Sequence, residues 1–181
     1  MPDEVTAHSQ YETILVAEDN DDHIILIQRA FKQARFLNPI QVVGDGAAAI
    51  AYLNGDGKYA DRTEYPLPGL LLLDLKMPNK TGFEVMEWIR TQPALRYLKI
   101  VVLTTTDRVF DVQRAYELGA SSFLVKPLDF REFVQLGPTL KGFWIWMSDP
   151  NVRHPKATDQ TVTPAPIPQT AVRISAPAPA A

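Results

Sequence analysis

The chain has 181 residues, 46% of them hydrophobic, with a formal charge of −3 and no cysteine. That length buries one substantial core, so one domain, or one domain and a tail, is expected. The charge balance offers no field to hold nucleic acid or an anionic membrane, and the absent cysteines exclude disulfide scaffolds, thiol nucleophiles and thiolate metal sites.

No stretch approaches the roughly 20 apolar residues of a bilayer span, and Met1-Pro2-Asp3-Glu4 is acidic where a secretory leader would be basic, so a cytoplasmic protein is expected. From Thr13 onward, short β-branched or leucine-rich runs alternate with amphipathic stretches, the pattern of repeated βα units around a parallel sheet. The first strand is predicted over 13–17 and its helix over 22–36; a second strand over 40–43 leads to a helix over 47–53. Segment 54–68 holds Gly55, Gly57, Pro66 and Pro68 among charges and reads as a long surface connection, a spacer or contact surface. The third strand, 70–74, is the run Leu70-Leu71-Leu72-Leu73 closed by Asp74 and bounded by Pro68-Gly69 and Pro78. Such a run suits a central strand buried on both faces, and it delivers Asp74 to the carboxyl edge of the sheet.

A helix over 83–91, a strand over 100–104, a helix over 110–118 with Gly119 at its C-cap and a strand over 122–125 complete the units. A last helix begins near Asp129. Gly137-Pro138 is expected to kink or interrupt it, and Gly142-Phe143-Trp144-Ile145-Trp146-Met147 then spreads large apolar residues over more faces than one sheet covers. Part of that cluster should stay exposed as an interface, with Phe143, Trp144 and Trp146 as its candidates. From Ser148 the composition turns to Pro, Ala and Thr, which predicts a disordered tail over 148–181 after a domain over 13–147 and an N-terminal extension over 1–12.

The same sheet edge collects Glu18 and Asp19 from the first strand, Asp74 from the third, Thr104 from the fourth and Lys126 from the fifth. In the usual order of doubly wound sheets the first, third and fourth strands are neighbours, which brings three carboxylates within reach of one hard cation. Mg2+ is the expected ion, since it takes oxygen ligands and keeps several waters. Asp21 and Asp22 are read instead as acids at the positive end of a helix dipole, and Thr106 and Asp107 as capping residues.

The segments Leu15-Val16-Ala17-Glu18-Asp19, Leu72-Leu73-Asp74-Leu75-Lys76-Met77-Pro78 with Gly82, Val101-Val102-Leu103-Thr104 and Phe123-Leu124-Val125-Lys126-Pro127 together resemble the receiver domain of two-component response regulators. The resemblance runs from about Thr13 to Met147. It implies a flavodoxin-like doubly wound α/β fold with a five-stranded parallel sheet. It further implies that Asp74 accepts a phosphoryl group from a sensor histidine kinase, that Glu18 and Asp19 hold magnesium with Asp74, and that Lys76 lends its backbone carbonyl. Thr104 and Lys126 would contact the phosphoryl oxygens, Phe123 would change rotamer with phosphorylation, and the bond before Pro127 would be cis. The chemistry agrees: a carboxylate is a poor nucleophile and needs an electrophile whose charge is neutralised and aligned for in-line attack. Lys76 and Thr106, each two residues beyond a site residue, flank the path of a hydrolytic water, and the Lys76 side chain is expected to hinder it.

After Lys126 only one helix and the tail remain, so a single-domain regulator is expected, with no catalysis beyond its own phosphorylation and dephosphorylation. Its output is then altered protein binding or onward transfer to a histidine phosphotransfer protein. The long connection before the third strand and the late Phe-Trp pair resemble regulators that work with bacteriophytochrome-type kinases, which implies a homodimer through the fourth helix, fifth strand and fifth helix. Three rivals remain. An aspartate-nucleophile phosphatase lacks its second acid, replaced by Lys76; an FMN carrier would need a phosphate-cradling loop where the acidic stretch 18–22 repels phosphate. The third, a non-phosphorylated pseudo-receiver binding module, is opposed by the intact set of Glu18, Asp19, Asp74, Thr104 and Lys126.

Overall fold

The computed structural model describes residues 12–148; the N-terminal extension up to residue 11 and the Pro/Ala-rich stretch from residue 149 lie outside the described residues. Five parallel strands, β1 (Thr13–Ala17), β2 (Ile40–Val43), β3 (Pro68–Leu73), β4 (Lys99–Thr104) and β5 (Ser122–Val125), form one sheet in the order β2-β1-β3-β4-β5. Four helices join them, α1 (Asp21–Gln33), α2 (Gly46–Asn54), α3 (Gly82–Arg90) and α4 (Val109–Glu117), and α5 (Phe130–Ser148) follows β5. This is the flavodoxin-like doubly wound arrangement. Among the described residues no helix is long and apolar enough to cross a membrane.

The leucine run of β3 explains the layering. Successive strand side chains point to opposite faces, so a strand covered on both sides must be apolar at every position. Leu70 and Leu72 join Ile14, Val16, Val101, Leu103 and Leu124 under α1 and α5; Leu71 and Leu73 join Leu15, Ala17, Ile100, Val102 and Phe123 under α2, α3 and α4. Each fully buried leucine contributes about 1.5–3 kcal/mol, which makes β3 the spine of both cores.

The loops at the carboxyl edge are set by caps. Asn20 accepts from the His23 N–H at 3.1 Å to start α1, Asp45 accepts from Ala48 N–H at 2.7 Å to start α2, and Thr81 with Glu84 forms a reciprocal capping box on α3. Asp21 and Asp22 sit in the first turn of α1, as expected of acids at a helix N-terminus. The start of α4 differs from the expectation. Its N-cap is Arg108, with no side-chain cap bond, and Asp107 caps nothing. Thr106 instead takes the Arg108 N–H at 3.4 Å and donates to Asp111 Oδ2 at 2.8 Å, because Asp111, in the first turn of the helix, draws the hydroxyl toward itself. Gly119 follows α4 with φ +96°, the left-handed stop that the sequence indicates.

Helix α5 corrects one half of a second expectation: Gly137-Pro138 does not interrupt it. Pro138 is exposed, and Gly137 is buried against α1. A Cβ at 137 would collide with the carbonyl of Ala30, so glycine here permits backbone-to-backbone approach of the two helices. Lys141, one turn further, donates to the carbonyls of Ala34 at 2.7 Å and Arg35 at 3.0 Å, satisfying the C-terminus of α1. Phe143 and Trp144 are half-buried on the core beneath α1 and α5, with Lys99 Nζ 5.0 Å from the Trp144 ring. The Trp146 side chain lies outside the described residues.

The connection from α2 to β3 is long but densely bonded. It contains one 3-10 turn, Gly57–Ala60. Arg62 donates to the carbonyls of Tyr52 and Leu53, both at 2.8 Å, and of Tyr65 at 3.2 Å, while the rings of Tyr52, Tyr59 and Tyr65 pack with centroids 5.2–6.0 Å apart.

Candidate functional site

Backbone bonds carry the strand ladder one residue past the strands and so fix the site. The Glu18 N–H donates to Val43 O at 3.0 Å, the Asp74 N–H to Ala17 O at 3.0 Å and the Lys126 N–H to Thr104 O at 2.8 Å. Glu18, Asp74, Thr104 and Lys126 therefore stand side by side at the carboxyl edge. All are buried, between 0% and 6% exposed, a placement that charged groups tolerate only when paired.

Lys126 supplies most of the pairing. Its Nζ lies 2.6 Å from Glu18 Oε2 and 2.5 Å from Asp74 Oδ2, so one ammonium bridges two buried carboxylates. The other Asp74 oxygen, Oδ1, accepts the Lys76 N–H at 3.2 Å. Gly82 packs directly against the Asp74 carbonyl, where a Cβ would collide, so the start of α3 closes tightly beneath the aspartate. The Lys76 side chain is exposed.

Asp19 is exposed at the mouth, and its carboxylate joins those of Glu18 and Asp74 in a set whose ligand oxygens all lie within 4.8 Å of one another. Three carboxylates against one ammonium leave a net negative, oxygen-only donor set. That chemistry fits a hard divalent cation, with the adjacent backbone of Lys76 as a further oxygen source. Asp21 and Asp22 are exposed and take no part in the cluster.

Thr104 differs from its neighbours. Its Oγ1 is buried with no hydrogen-bond partner among the described residues, a state that costs about 1–3 kcal/mol. Phe123, 6% exposed, lies on β5 opposite Val102, two residues before Val125 pairs with Thr104. The sequence expectation of a cis bond before Pro127 is corrected: no cis peptide occurs among the described residues. The trans form is intrinsically favoured by about 0.5–1 kcal/mol, and the backbone of Lys126 already finds its partner in Thr104 without isomerisation.

One residue of the site went unread in the sequence. His23 Nδ1 lies 3.0 Å from Glu18 Oε1 and 3.2 Å from Lys126 Nζ, and its ring stacks on Phe133 of α5 at 6.1 Å. Glu18 Oε1 only accepts and the Lys126 ammonium only donates, so the tautomer decides which neighbour Nδ1 serves: Glu18 with the proton on Nδ1, Lys126 with it on Nε2. The spacing of five residues across a strand-to-helix turn belongs to no helix or strand period. The one available signal is that Asn20 caps the His23 N–H and so sets the first turn of α1 beside the site.

With that geometry the chain belongs to the response regulator receiver domain family, whose family model matches residues 14–136. Among its relatives is the response regulator Rcp1 of Synechocystis, 33% identical over 134 residues that cover 74% of this chain and 89% of the relative. The Mn(2+)-bound crystal structure of Rcp1 aligns with a TM-score of 0.68 at 32% identity, covering 80% of this chain and 99% of that one. The phosphorylated cyanobacterial phytochrome response regulator RcpA aligns with a TM-score of 0.71 at 32% identity, over 77% and 97% of the two chains. The probable methanogenesis regulatory protein FilR2 of Methanothrix harundinacea is 38% identical over 141 residues, covering 76% of this chain and 86% of its own length.

Proposed function

We propose that this receiver accepts a phosphoryl group on Asp74 from a phosphohistidine, with Mg2+ held by Glu18, Asp19, Asp74 and the Lys76 carbonyl. The observation that carries this is the buried Thr104 hydroxyl, without a partner among the described residues, on the strand next to Asp74. A phosphoryl oxygen on Asp74 supplies the acceptor that this hydroxyl lacks.

In the transfer an Asp74 oxygen lone pair forms the new O–P bond as the donor's N–P bond breaks, the electron pair returning to the donor imidazole. The bound cation supplies neutralisation of phosphoryl charge. Lys126 turns its ammonium from Asp74 to a phosphoryl oxygen, Thr104 donates its hydroxyl, and the Lys76 N–H keeps the aspartate aligned for in-line attack. Two or three charge-assisted hydrogen bonds at about 1.5–3 kcal/mol each cover the roughly 5.5 kcal/mol needed to invert a two-state equilibrium. Phe123, buried beside β4, is the side chain that registers the movement of Thr104.

The similarity to Rcp1 and RcpA supports a phytochrome-type sensor histidine kinase as donor, acting on a cytoplasmic protein whose domain spans residues 13–147. Output passes through altered protein binding or onward transfer to a histidine phosphotransfer protein. A homodimer across α4, β5 and α5 is part of the same proposal: Val109 and Phe110 stand exposed on α4, and Trp144 is half-buried on α5.

Incubation with Mg2+ and acetyl phosphate, followed by intact mass spectrometry, tests the central step. The expected result is a gain of one phosphoryl group that disappears in Asp74→Asn; no gain from any small donor would favour the pseudo-receiver binding module.

A further inference from the structure

Glu18 is gripped from two sides. Lys126 Nζ holds Oε2 at 2.6 Å and His23 Nδ1 holds Oε1 at 3.0 Å, and these are its side-chain partners among the described residues. The two grips are not equivalent. Lys126 is shared with Asp74 and, in the reaction described above, leaves for a phosphoryl oxygen. His23 Nδ1 stands 3.2 Å from the same ammonium, but no part of that reaction draws it away from Glu18.

The imidazole is held in turn. Its backbone N–H is fixed by Asn20 at the start of α1, and its ring lies against Phe133, which is 1% exposed. The ring is therefore aimed before any ligand arrives, with Nδ1 directed at the carboxylate. A side chain that merely filled space against Phe133 would have no need of a polar atom within hydrogen-bond distance of a group 2% exposed.

We propose that His23, in the tautomer with the proton on Nδ1, is a positioning residue for the divalent-cation site: its Nδ1–H pins Oε1 of Glu18 and fixes the aim of that carboxylate at the cation. This rests on the assignment of Glu18, Asp19 and Asp74 as the cation ligands. Outer-shell donors of this kind typically change metal affinity by about 10–100-fold when removed.

The test is titration of the full, unphosphorylated chain with Mn2+, reading free ion by electron paramagnetic resonance. His23→Leu keeps the apolar contact with Phe133 and removes the donor; His23→Asn returns an N–H near the Nδ1 position. The expected result is a Kd for Mn2+ raised about tenfold in His23→Leu and largely restored in His23→Asn. Far-UV circular dichroism checks the fold, and His23→Ala serves as the donorless variant if leucine disturbs α1. Equal Mn2+ affinity in the donorless and unsubstituted chains overturns the proposal, as does an asparagine variant no tighter than leucine. Failure of the unsubstituted chain to bind Mn2+ overturns the cation-site assignment and the inference with it, a distinct result because it appears before any substitution.

Discussion

Two connections on opposite edges of the sheet are built in opposite ways. The 14 residues from Gly55 to Pro68 cross the amino edge and are tied down by the three Arg62 bonds, the Tyr52 hydroxyl on Pro66 O at 2.9 Å and a packed trio of tyrosine rings. The segment from Thr105 into α4 is short and lies at the carboxyl edge. Its helix lacks a side-chain cap bond, its main clasp is the hydroxyl of Thr106 on Asp111, and it leaves Val109 81% and Phe110 70% exposed. Length therefore says little about looseness. The long connection is tied into the core, whereas the start of α4, beside Thr104, carries few bonds, the helix being held further along by Arg114 on Glu87 at 2.8 Å.

The strongest challenge to this contrast is Arg62→Ala. Three carbonyls lose a charged donor, so a stability loss of about 2–3 kcal/mol in urea unfolding is expected, with Mg2+-dependent phosphorylation of Asp74 retained in the folded fraction. A loss below about 0.5 kcal/mol would show the long connection to be no better anchored than α4.

Tyr52 sharpens the same point through pH. Burial pushes its hydroxyl up to about 12 from an ordinary value near 10, with Arg62 opposing and Tyr59 and Tyr65 assisting. A raised value means that the folded chain holds the proton more tightly, so this contribution is full below pH 10 and is lost as pH rises toward 12. At neutral pH Tyr52→Phe should cost about 1 kcal/mol for the bond to Pro66. By pH 11 the unsubstituted chain should have lost about 1.4 kcal/mol relative to the variant, so the advantage of Tyr52 is gone. Parallel stability profiles between pH 8 and pH 11 would contradict that assignment.

The smallest stability effect belongs to the loose side. Phe110→Ser should move the unfolding free energy by no more than about 0.5 kcal/mol, because the ring is largely in water. Its consequence should appear in association: sedimentation should show a homodimer weakened about tenfold or more if α4 contributes a central contact. An unchanged self-association constant would remove Phe110 from the dimer face.

What the sequence made legible, and what it did not, divides along the same physical line. Strands β1, β2 and β5 begin and end where the apolar runs do, and Glu18, Asp74, Thr104 and Lys126 share one edge, because strand periodicity and strand order are local or nearly local properties. Helix α1 starts one residue earlier than its apolar spacing suggests, since Asn20 rather than the pattern decides the cap. The uninterrupted course of α5 was not legible, because it depends on where α1 lies and on which side Pro138 faces. His23 and Arg62 escaped for a related reason: the partners of each are a carboxylate or carbonyls brought together by folding, and neither side chain has a spacing that announces them. Of the candidates for an exposed interface, Phe143 and Trp144 are half covered, since Lys99 and the core beneath α1 and α5 receive them, and the Trp146 side chain lies outside the described residues.

The contact between Gly137 and the Ala30 carbonyl also acts as a gauge. It sets the separation of two helices to a backbone thickness, and two other features are measured from it. On one side the His23 ring reaches Phe133, and on the other Lys141 reaches the end of α1. A single methyl at position 137 would wedge the pair apart and lengthen both reaches at once. The proposed phosphoryl-acceptor site and the far end of the helix layer thus share one mechanical tolerance, held by a hydrogen atom.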